Sequence, residues 1–216
     1  MNRMTYRVAL AVLLCGTMGW SVSAFGQSDA TRYKYRVRGE DLMRGRYVET
    51  LQALQAPNLL DPATTWADLV QTLNRMSEVG ANAVCFDLVG LSADGGALAP
   101  EVVRAMDYSQ KDDRLPIRQI VWRRMGVICR VFGEGAPEDP AYRANAIATV
   151  ARELGNKGEC VYWVDGPGAA DLAAELKRRA PRLVVAAPAN GDILAVTDWP
   201  SETPKRPVLL VGKIPQ

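Results

Sequence analysis

Carboxylates that follow apolar segments are the residues in this sequence best suited to chemistry. Four apolar segments lead into Gly-rich turns that carry polar side chains: Asp87, Asp94, Arg130, Glu134, Asp165, Asn190 and Asp192. Continuous apolar segments that alternate with helical patterns are typical of buried parallel strands. Since ligands gather at the carboxyl ends of such strands, we predict that these side chains surround one polar pocket.

Glu134 and Asp165 are the predicted catalytic pair, because they follow consecutive strands and such strands usually lie side by side. Glu134 stands between Gly133 and Gly135, whose flexible backbone can bring it over the pocket as a proton donor. Asp165 precedes a predicted helix N-terminus, which favours the ionised carboxylate and hence a role as base or nucleophile. The alternative is that Asp165 only forms a turn and caps that helix.

The other polar residues of the pocket are predicted to bind substrate. Carboxylates paired across a pocket, with indole rings from Trp163 and Trp199 as platforms, suit the hydrolysis or binding of sugars. The alternative is again structural, because acids next to glycine commonly form turns and cap helices. The predicted substrate-binding residues are Asp87, Asp94, Arg130, Trp163, Asn190 and Asp192.

The chain contains no histidine. This excludes Ser-His-Asp and Cys-His nucleophilic sites and centres with histidine ligands to zinc or iron. Proton transfer would therefore depend on carboxylates, lysine, tyrosine or cysteine. The segment Val164–Gly168 has neither the Walker lysine nor the glycine spacing of a dinucleotide fold, so we predict no cofactor.

Three cysteines follow the N-terminal leader described below: Cys85, Cys129 and Cys160. They lie in separate predicted strands without a Cys-x-x-Cys pair, and we predict no metal site. We expect buried thiols that act as small apolar side chains, with one disulfide between neighbouring strands as the alternative.

Residues 1–26 have the pattern of a signal peptide. Arg3 and Arg7 precede an apolar stretch of about a dozen residues, which is too short to span a bilayer, and Val22-Ser23-Ala24 resembles a cleavage site. An uncleaved anchor is the alternative. We predict export to the periplasm or the extracellular space, with no transmembrane span in the mature chain.

The charge balance argues against nucleic acid as a partner. The 26 Lys and Arg residues face 24 Asp and Glu residues, and removal of the leader takes away two arginines. The mature chain is therefore close to neutral, whereas a protein that binds nucleic acid needs a basic excess to neutralise phosphates.

Residues 27–60 are predicted to be a linker or an edge segment, and residues 61–216 a single α/β domain. Tyrosine and valine alternate with basic residues between Arg32 and Arg38, a strand-like pattern that also suits an anionic surface. The domain begins with a helix over 66–79, whose Thr65 and Asp68 resemble a capping box. Further helices are predicted over 101–107, 113–125, 139–154 and 169–180.

Strands are predicted over 83–89, 127–132, 160–165, 183–187 and 208–211, with a short additional strand over 193–196. A closed eight-stranded barrel usually needs about 250 residues. We therefore predict a mainly parallel sheet of about five strands, like a partial (β/α)-barrel, with an open three-layer doubly wound sheet as the alternative. An open sheet leaves an unpaired edge, so we expect self-association or cover from residues 32–55.

The helix from Leu69 and the following GANAVCFDLVGLSADG resemble the opening segment of cellulase-type (β/α)-barrel glycoside hydrolases, and MGVICRVF is similar to their next strand. The resemblance covers about residues 60–190 and implies a barrel that acts on carbohydrate. Those families carry an Asn-Glu pair at one strand end, where this chain has YWVDGPG with Asp165. The resemblance therefore implies a glycoside-hydrolase-like protein, either active or degenerate. The alternative is a non-catalytic structural or interaction protein of the cell envelope.

Overall fold

The computed structural model describes residues 50–196 and 208–212, which alternate between strands and helices. The strands are β1 (Thr50–Gln55), β2 (Ala83–Asp87), β3 (Gly126–Arg130), β4 (Cys160–Trp163), β5 (Val184–Ala187), β6 (Ile193–Val196) and β7 (Val208–Gly212). The helices are the 3-10 helix η1 (Pro57–Leu60), α1 (Trp66–Glu78), α2 (Pro100–Ala105), α3 (Pro116–Trp122), α4 (Pro140–Leu154) and α5 (Ala169–Arg179).

The seven strands form a closed, entirely parallel barrel in chain order. This confirms the predicted α/β class and the barrel-like parallel sheet, and it excludes the open doubly wound alternative. The strand count is seven rather than about five. The short strand predicted over 193–196 is a full member of the barrel as β6, and β1 is a strand that the pattern did not predict.

Closure depends on β1, which lies between β2 and β7. Its sequence TLQALQ contains residues that favour helices, and it is a strand here because both of its edges are paired. The segment 27–60 therefore contributes an inner strand rather than an edge at Thr50–Gln55. The expected cover from residues 32–55 is confirmed for this part, and the unpaired edge on which self-association depended is occupied. The leader and the alternation over 32–38 lie outside the described residues.

Side chains of each strand alternate between the barrel interior and the layer under the helices. In β2, Ala83 and Cys85 face inward, whereas Val84 and Phe86 pack against the helices, and all four are buried. The interior cluster consists of Leu51, Ala53, Ala83, Cys85, Ile128, Val161, Val184, Ala186, Ile193, Ala195 and Leu209. These side chains fill the barrel below the level at which Asp87 stands.

The helix termini follow from local chemistry, with two corrections to the predicted helices. Thr65 and Asp68 form the predicted capping box, and Asp139 accepts a hydrogen bond from Tyr142 N at 2.8 Å. The helix predicted over 113–125 begins only at Pro116, whose fixed φ and missing N–H suit the first helical position. In α4, Ala144 is exposed rather than buried.

None of the helices in the described ranges has the length and apolarity that a bilayer crossing requires. The three cysteines Cys85, Cys129 and Cys160 are free and buried, as expected for thiols that act as small apolar side chains, and the alternative disulfide is not formed. Across residues 50–196 and 208–212, no three His, Cys, Asp or Glu side chains are grouped so that they could hold a metal ion.

Candidate active site at the barrel mouth

Three of the predicted substrate-binding residues lie in one layer at the carboxyl end of the barrel. Asp87 is the strand partner of Arg130, and Arg130 is the partner of Trp163. Each stands two residues beyond an inward-facing residue, so all three continue the interior rows. The structure therefore brings Asp87, Arg130 and Trp163 together at the point where the packed interior ends.

Asp87 and Arg130 form a bidentate ion pair. Arg130 Nε donates to Asp87 Oδ1 at 2.7 Å and Nη2 donates to Oδ2 at 2.8 Å. Hydrogen bonding to Asp87 raises the pKa of Arg130 above its usual value. The guanidinium carbon also lies 5.6 Å from the centre of the Trp163 ring, close enough for a cation–π interaction. This pair fixes a positive and a negative charge beside an indole.

The loop after β3 approaches the Asp87–Arg130 ion pair closely at Gly133. A Cβ atom on Gly133 would lie 2.6 Å from Asp87 Oδ2, so only glycine permits this approach. The neighbouring Glu134 N–H donates to the same oxygen over a long 3.4 Å. The backbone of Glu134 is thus held at the mouth, while its side chain is exposed to solvent.

Asp165 stands two residues beyond Trp163 and is half-buried. Burial raises the pKa of its carboxyl, although the charges of Arg130 and Arg143 oppose the rise. Its Oδ1 atom is buried without a hydrogen-bond partner among the described residues, and so is Trp163 Nε1. A buried polar atom without a partner is costly, and a native structure that keeps one at a strand end gives a reason to look for a ligand or a reaction there.

Arg143 on α4 is a functional candidate that the sequence analysis missed. It is only 4% exposed, its guanidinium carbon lies 4.0 Å from the centre of the Phe132 ring, and Nη2 donates to the backbone carbonyl of Asp165. Burial lowers the pKa of Arg143. This arginine therefore connects the loops after β3 and β4. Its position four residues before Ile147 and seven before Val150, both buried, is the helical spacing that could have revealed it.

Cys85 lies one layer below Asp87 on β2. Burial raises the pKa of its thiol to about 12, with the positive charge of Arg130 acting in the opposite direction. A thiol with so high a pKa is not ionised at neutral pH and would be a poor nucleophile. The carboxylates of the mouth are therefore better candidates for acid–base chemistry than this thiol.

The remaining predicted residues lie in loops that use their side chains locally. Asp94 Oδ1 accepts hydrogen bonds from Ser92 Oγ at 2.6 Å and from Gly96 N at 2.9 Å, which lower its pKa. Asp192 Oδ2 accepts from Val185 N at 2.9 Å and lies 3.0 Å from Lys177 Nζ.

Asn190 has a positive φ of 56° and donates to the Ala170 carbonyl at 3.3 Å. Together with Asp192, it shapes the five-residue connection between β5 and β6. The substrate contacts predicted for these residues and for Asp94 therefore compete with the hydrogen bonds that hold their own loops.

No protein-family model matches this chain, and no curated protein matches it. Among solved structures it is similar to a glycoside hydrolase (10% identity, TM-score 0.43), with 63% of this chain and 36% of that chain covered. It is also similar to an endo-1,4-beta-mannanase from Rhizomucor miehei (9% identity, TM-score 0.42), with 66% of this chain and 56% of that chain covered.

A third similar structure contains the tandem catalytic modules of the pneumococcal exo-beta-D-N-acetylglucosaminidase StrH (12% identity, TM-score 0.37), with 64% of this chain and 53% of that chain covered. The chain thus spans between about a third and just over half of these solved structures. The barrel fold that the sequence resemblance implied is present in the seven closed parallel strands themselves. The molecule is a closed parallel (β/α)-barrel with a charged mouth.

Proposed function

We propose that this protein is a carbohydrate-active barrel that binds a sugar at its C-terminal mouth, with Asp165 as the proton donor. The observation that carries the proposal is the half-buried Asp165 carboxyl, which has a raised pKa and no partner for Oδ1. It lies beside a fixed ion pair and an indole, and sugar sites combine such charged hydrogen-bonding groups with aromatic surfaces.

The electrostatics favour the reverse of the roles that the sequence suggested. A carboxyl whose pKa is raised by burial holds its proton longer and suits a general acid. Glu134 is exposed on the neighbouring loop and suits the general base or nucleophile. Asp87 and Arg130 would then orient sugar hydroxyls, since a carboxylate accepts and a guanidinium donates hydrogen bonds.

A hydrolysis screen tests the proposal with chromogenic and oligomeric glycosides, mannosides and N-acetylglucosaminides included. Asp165→Asn and Glu134→Gln should each lower any hydrolysis by at least a hundredfold, the range that acid–base groups contribute. The matched control is Asp171→Asn, because Asp171 is an exposed acid in the first turn of α5. The Tm of each variant should stay within a few degrees of the wild type.

Binding should be measured alongside hydrolysis, on a glycan array with the wild type and the Trp163→Ala variant. Binding without hydrolysis would assign a degenerate, sugar-binding barrel. If neither binding nor hydrolysis were detected, the proposal would be overturned in favour of a structural or interaction protein of the cell envelope.

We also propose that the protein is exported and that residues 1–26 are removed. The mature chain would then begin at residue 27, before β1. The proposal is supported by the basic and apolar pattern of these residues and by the Val22-Ser23-Ala24 site. Intact-mass analysis of the chain recovered from the periplasm or medium tests it. A mass that still includes residues 1–26 would favour the uncleaved anchor.

A further inference from the structure

A cavity lies beside the barrel. It has a volume of about 280 Å³ and is enclosed by η1, the start of α1, α2 and the start of α3. These elements follow β1 and β2, so the cavity opens on the same side of the barrel as the mouth. None of the four mouth residues Asp87, Arg130, Trp163 and Asp165 lines it.

The floor of this cavity is apolar and its edge carries an indole. Leu60, Leu69 and Val102 line it and are buried core residues. Trp66, the first residue of α1, also lines it and is 46% exposed. An indole left open over an apolar floor marks a place where an apolar group can bind.

Charges of both signs line the cavity beside this floor, on side chains that are exposed to solvent. Glu101 and Arg114 line the cavity from α2 and from the residues before α3, and within the described ranges neither side chain has an ion-pair partner. Their neighbours do: Arg104 lies 3.7 Å from Asp112, and Arg118 lies 2.9 Å from Asp113. The cavity thus keeps one acid and one guanidinium available where adjacent charges are paired.

A further carboxylate, that of Asp61, also lines the cavity. Its Oδ1 accepts a hydrogen bond from Ala63 N at 2.8 Å, which fixes the orientation of the carboxylate at the end of η1. The cavity therefore offers two acids and one guanidinium around an apolar floor.

We propose that this cavity binds a small zwitterion with an apolar side chain, namely an apolar α-amino acid. Arg114 receives the carboxylate, for which a guanidinium has the matching bidentate geometry. Asp61 and Glu101 receive the ammonium, and the apolar side chain lies on the floor against Trp66. A neutral sugar matches the indole but offers no charge to Asp61, Glu101 or Arg114. The inference is independent of the carbohydrate chemistry proposed for the mouth.

Titration calorimetry with three matched ligands tests the proposal. L-Leucine carries both charges, leucinamide lacks the carboxylate, and N-acetyl-L-leucine lacks the ammonium. L-Leucine should bind about tenfold or more tightly than either analogue, because each analogue loses charge-assisted hydrogen bonds. Mannose should not compete with it.

Variants assign each charge to its partner. Arg114→Gln should weaken L-leucine but not leucinamide, and Glu101→Gln, alone or with Asp61→Asn, should weaken L-leucine but not N-acetyl-L-leucine. Trp66→Ala should weaken all three ligands equally. Arg152→Gln and Glu78→Gln remove the same charges from other exposed helix surfaces and should change nothing.

Three outcomes overturn the proposal: no binding of L-leucine at millimolar concentration, equal binding of all three ligands, or binding that Arg114→Gln leaves unchanged. Each differs from a failure of the mouth proposal, because hydrolysis and its dependence on Asp165 are measured separately. If the mouth had no hydrolytic activity, the differences in affinity among L-leucine, leucinamide and N-acetyl-L-leucine would be unchanged.

Discussion

At the residue scale, the mouth depends on close contacts that only particular residues permit. Gly166 has a φ of +74°, and a Cβ atom there would lie 2.9 Å from Arg143 Nη1. Because that guanidinium is buried against Phe132 and bonded to the Asp165 carbonyl, it has little room to move. Gly166 and Arg143 therefore determine together where the Asp165 backbone lies.

Gly166→Ala should destabilise the protein more than Gly135→Ala does. Both glycines have a positive φ, +74° and +78°, and each substitution should cost roughly 1–2 kcal/mol of backbone strain. Only Gly166→Ala also displaces Arg143, since Gly135 has nothing within 4 Å of the added atom. Denaturant unfolding measures both free energies. Equal losses of unfolding free energy for the two variants would show that Arg143 can move away from the added methyl group without destabilising the protein.

The raised pKa of Asp165 predicts a pH dependence of stability. Burial raises the folded pKa above the unfolded value of about 3.9, so the folded state binds this proton more tightly. The stability associated with the protonated form is fully present below pH ~3.9 and is lost as the pH rises through the folded pKa.

The Tm of Asp165→Asn should therefore rise relative to the wild type as the pH increases above about 4. Thermal unfolding from pH 3.5 to 7 measures this difference, in which the titrations shared by both proteins cancel. A wild type that gains stability over the variant as the pH rises would mean that Arg130 and Arg143 hold the ionised carboxylate.

The sequence allowed part of this site to be predicted. Asp87, Arg130 and Trp163 could be found because a period of two along a strand determines which side chains continue the interior rows. Asp94 and Asp192 lie in the loops after β2 and β5, and these loops fold back so that their own backbone and side chains hydrogen-bond the two carboxylates. Loop conformation is not encoded in periodicity, so their environments could not be predicted.

At the element scale, the ion pair connects β2 to β3 across the top of the barrel. The side chains of Arg130 and Asp87 are only 15% and 14% exposed, so removal of one partner leaves a poorly solvated charge. Arg152 and Glu153 on α4 form a pair at the same 2.7 Å separation, but they are 57% and 36% exposed. The two pairs differ in burial and in geometry, since only Arg130 and Asp87 form two hydrogen bonds to each other.

A double-mutant cycle on each pair should therefore give different coupling energies. Arg130→Met alone should cost roughly 2 kcal/mol or more, and adding Asp87→Leu should recover much of that loss. The corresponding changes at Arg152 and Glu153 should show coupling of about 0–1 kcal/mol, as is usual for exposed pairs. Urea unfolding of seven proteins, the wild type and three variants for each pair, measures both cycles. Similar coupling in the two would mean that water reaches the mouth pair freely.

At the scale of the whole molecule, the parallel class and helix alternation could be predicted from the apolar strands, whereas closure could not. β1 has helix-favouring residues, and β6 follows β5 after only five residues without a helix between them. Both strands exist because neighbours pair with each of their edges. Such pairing depends on residues distant in sequence, which local propensity does not capture.

The last prediction concerns β1, the strand that closes the barrel. Deletion of residues 27–55 removes β1 and leaves facing edges of β2 and β7 unpaired. Exposed parallel edges promote association with other chains. We expect this variant to lose its cooperative unfolding transition and to form oligomers or aggregates in light scattering. Deletion of residues 27–49 is the matched control, because it keeps all seven strands. If the 27–55 deletion remained a folded monomer, the barrel would not need β1, and six strands would close or cover the sheet by another route.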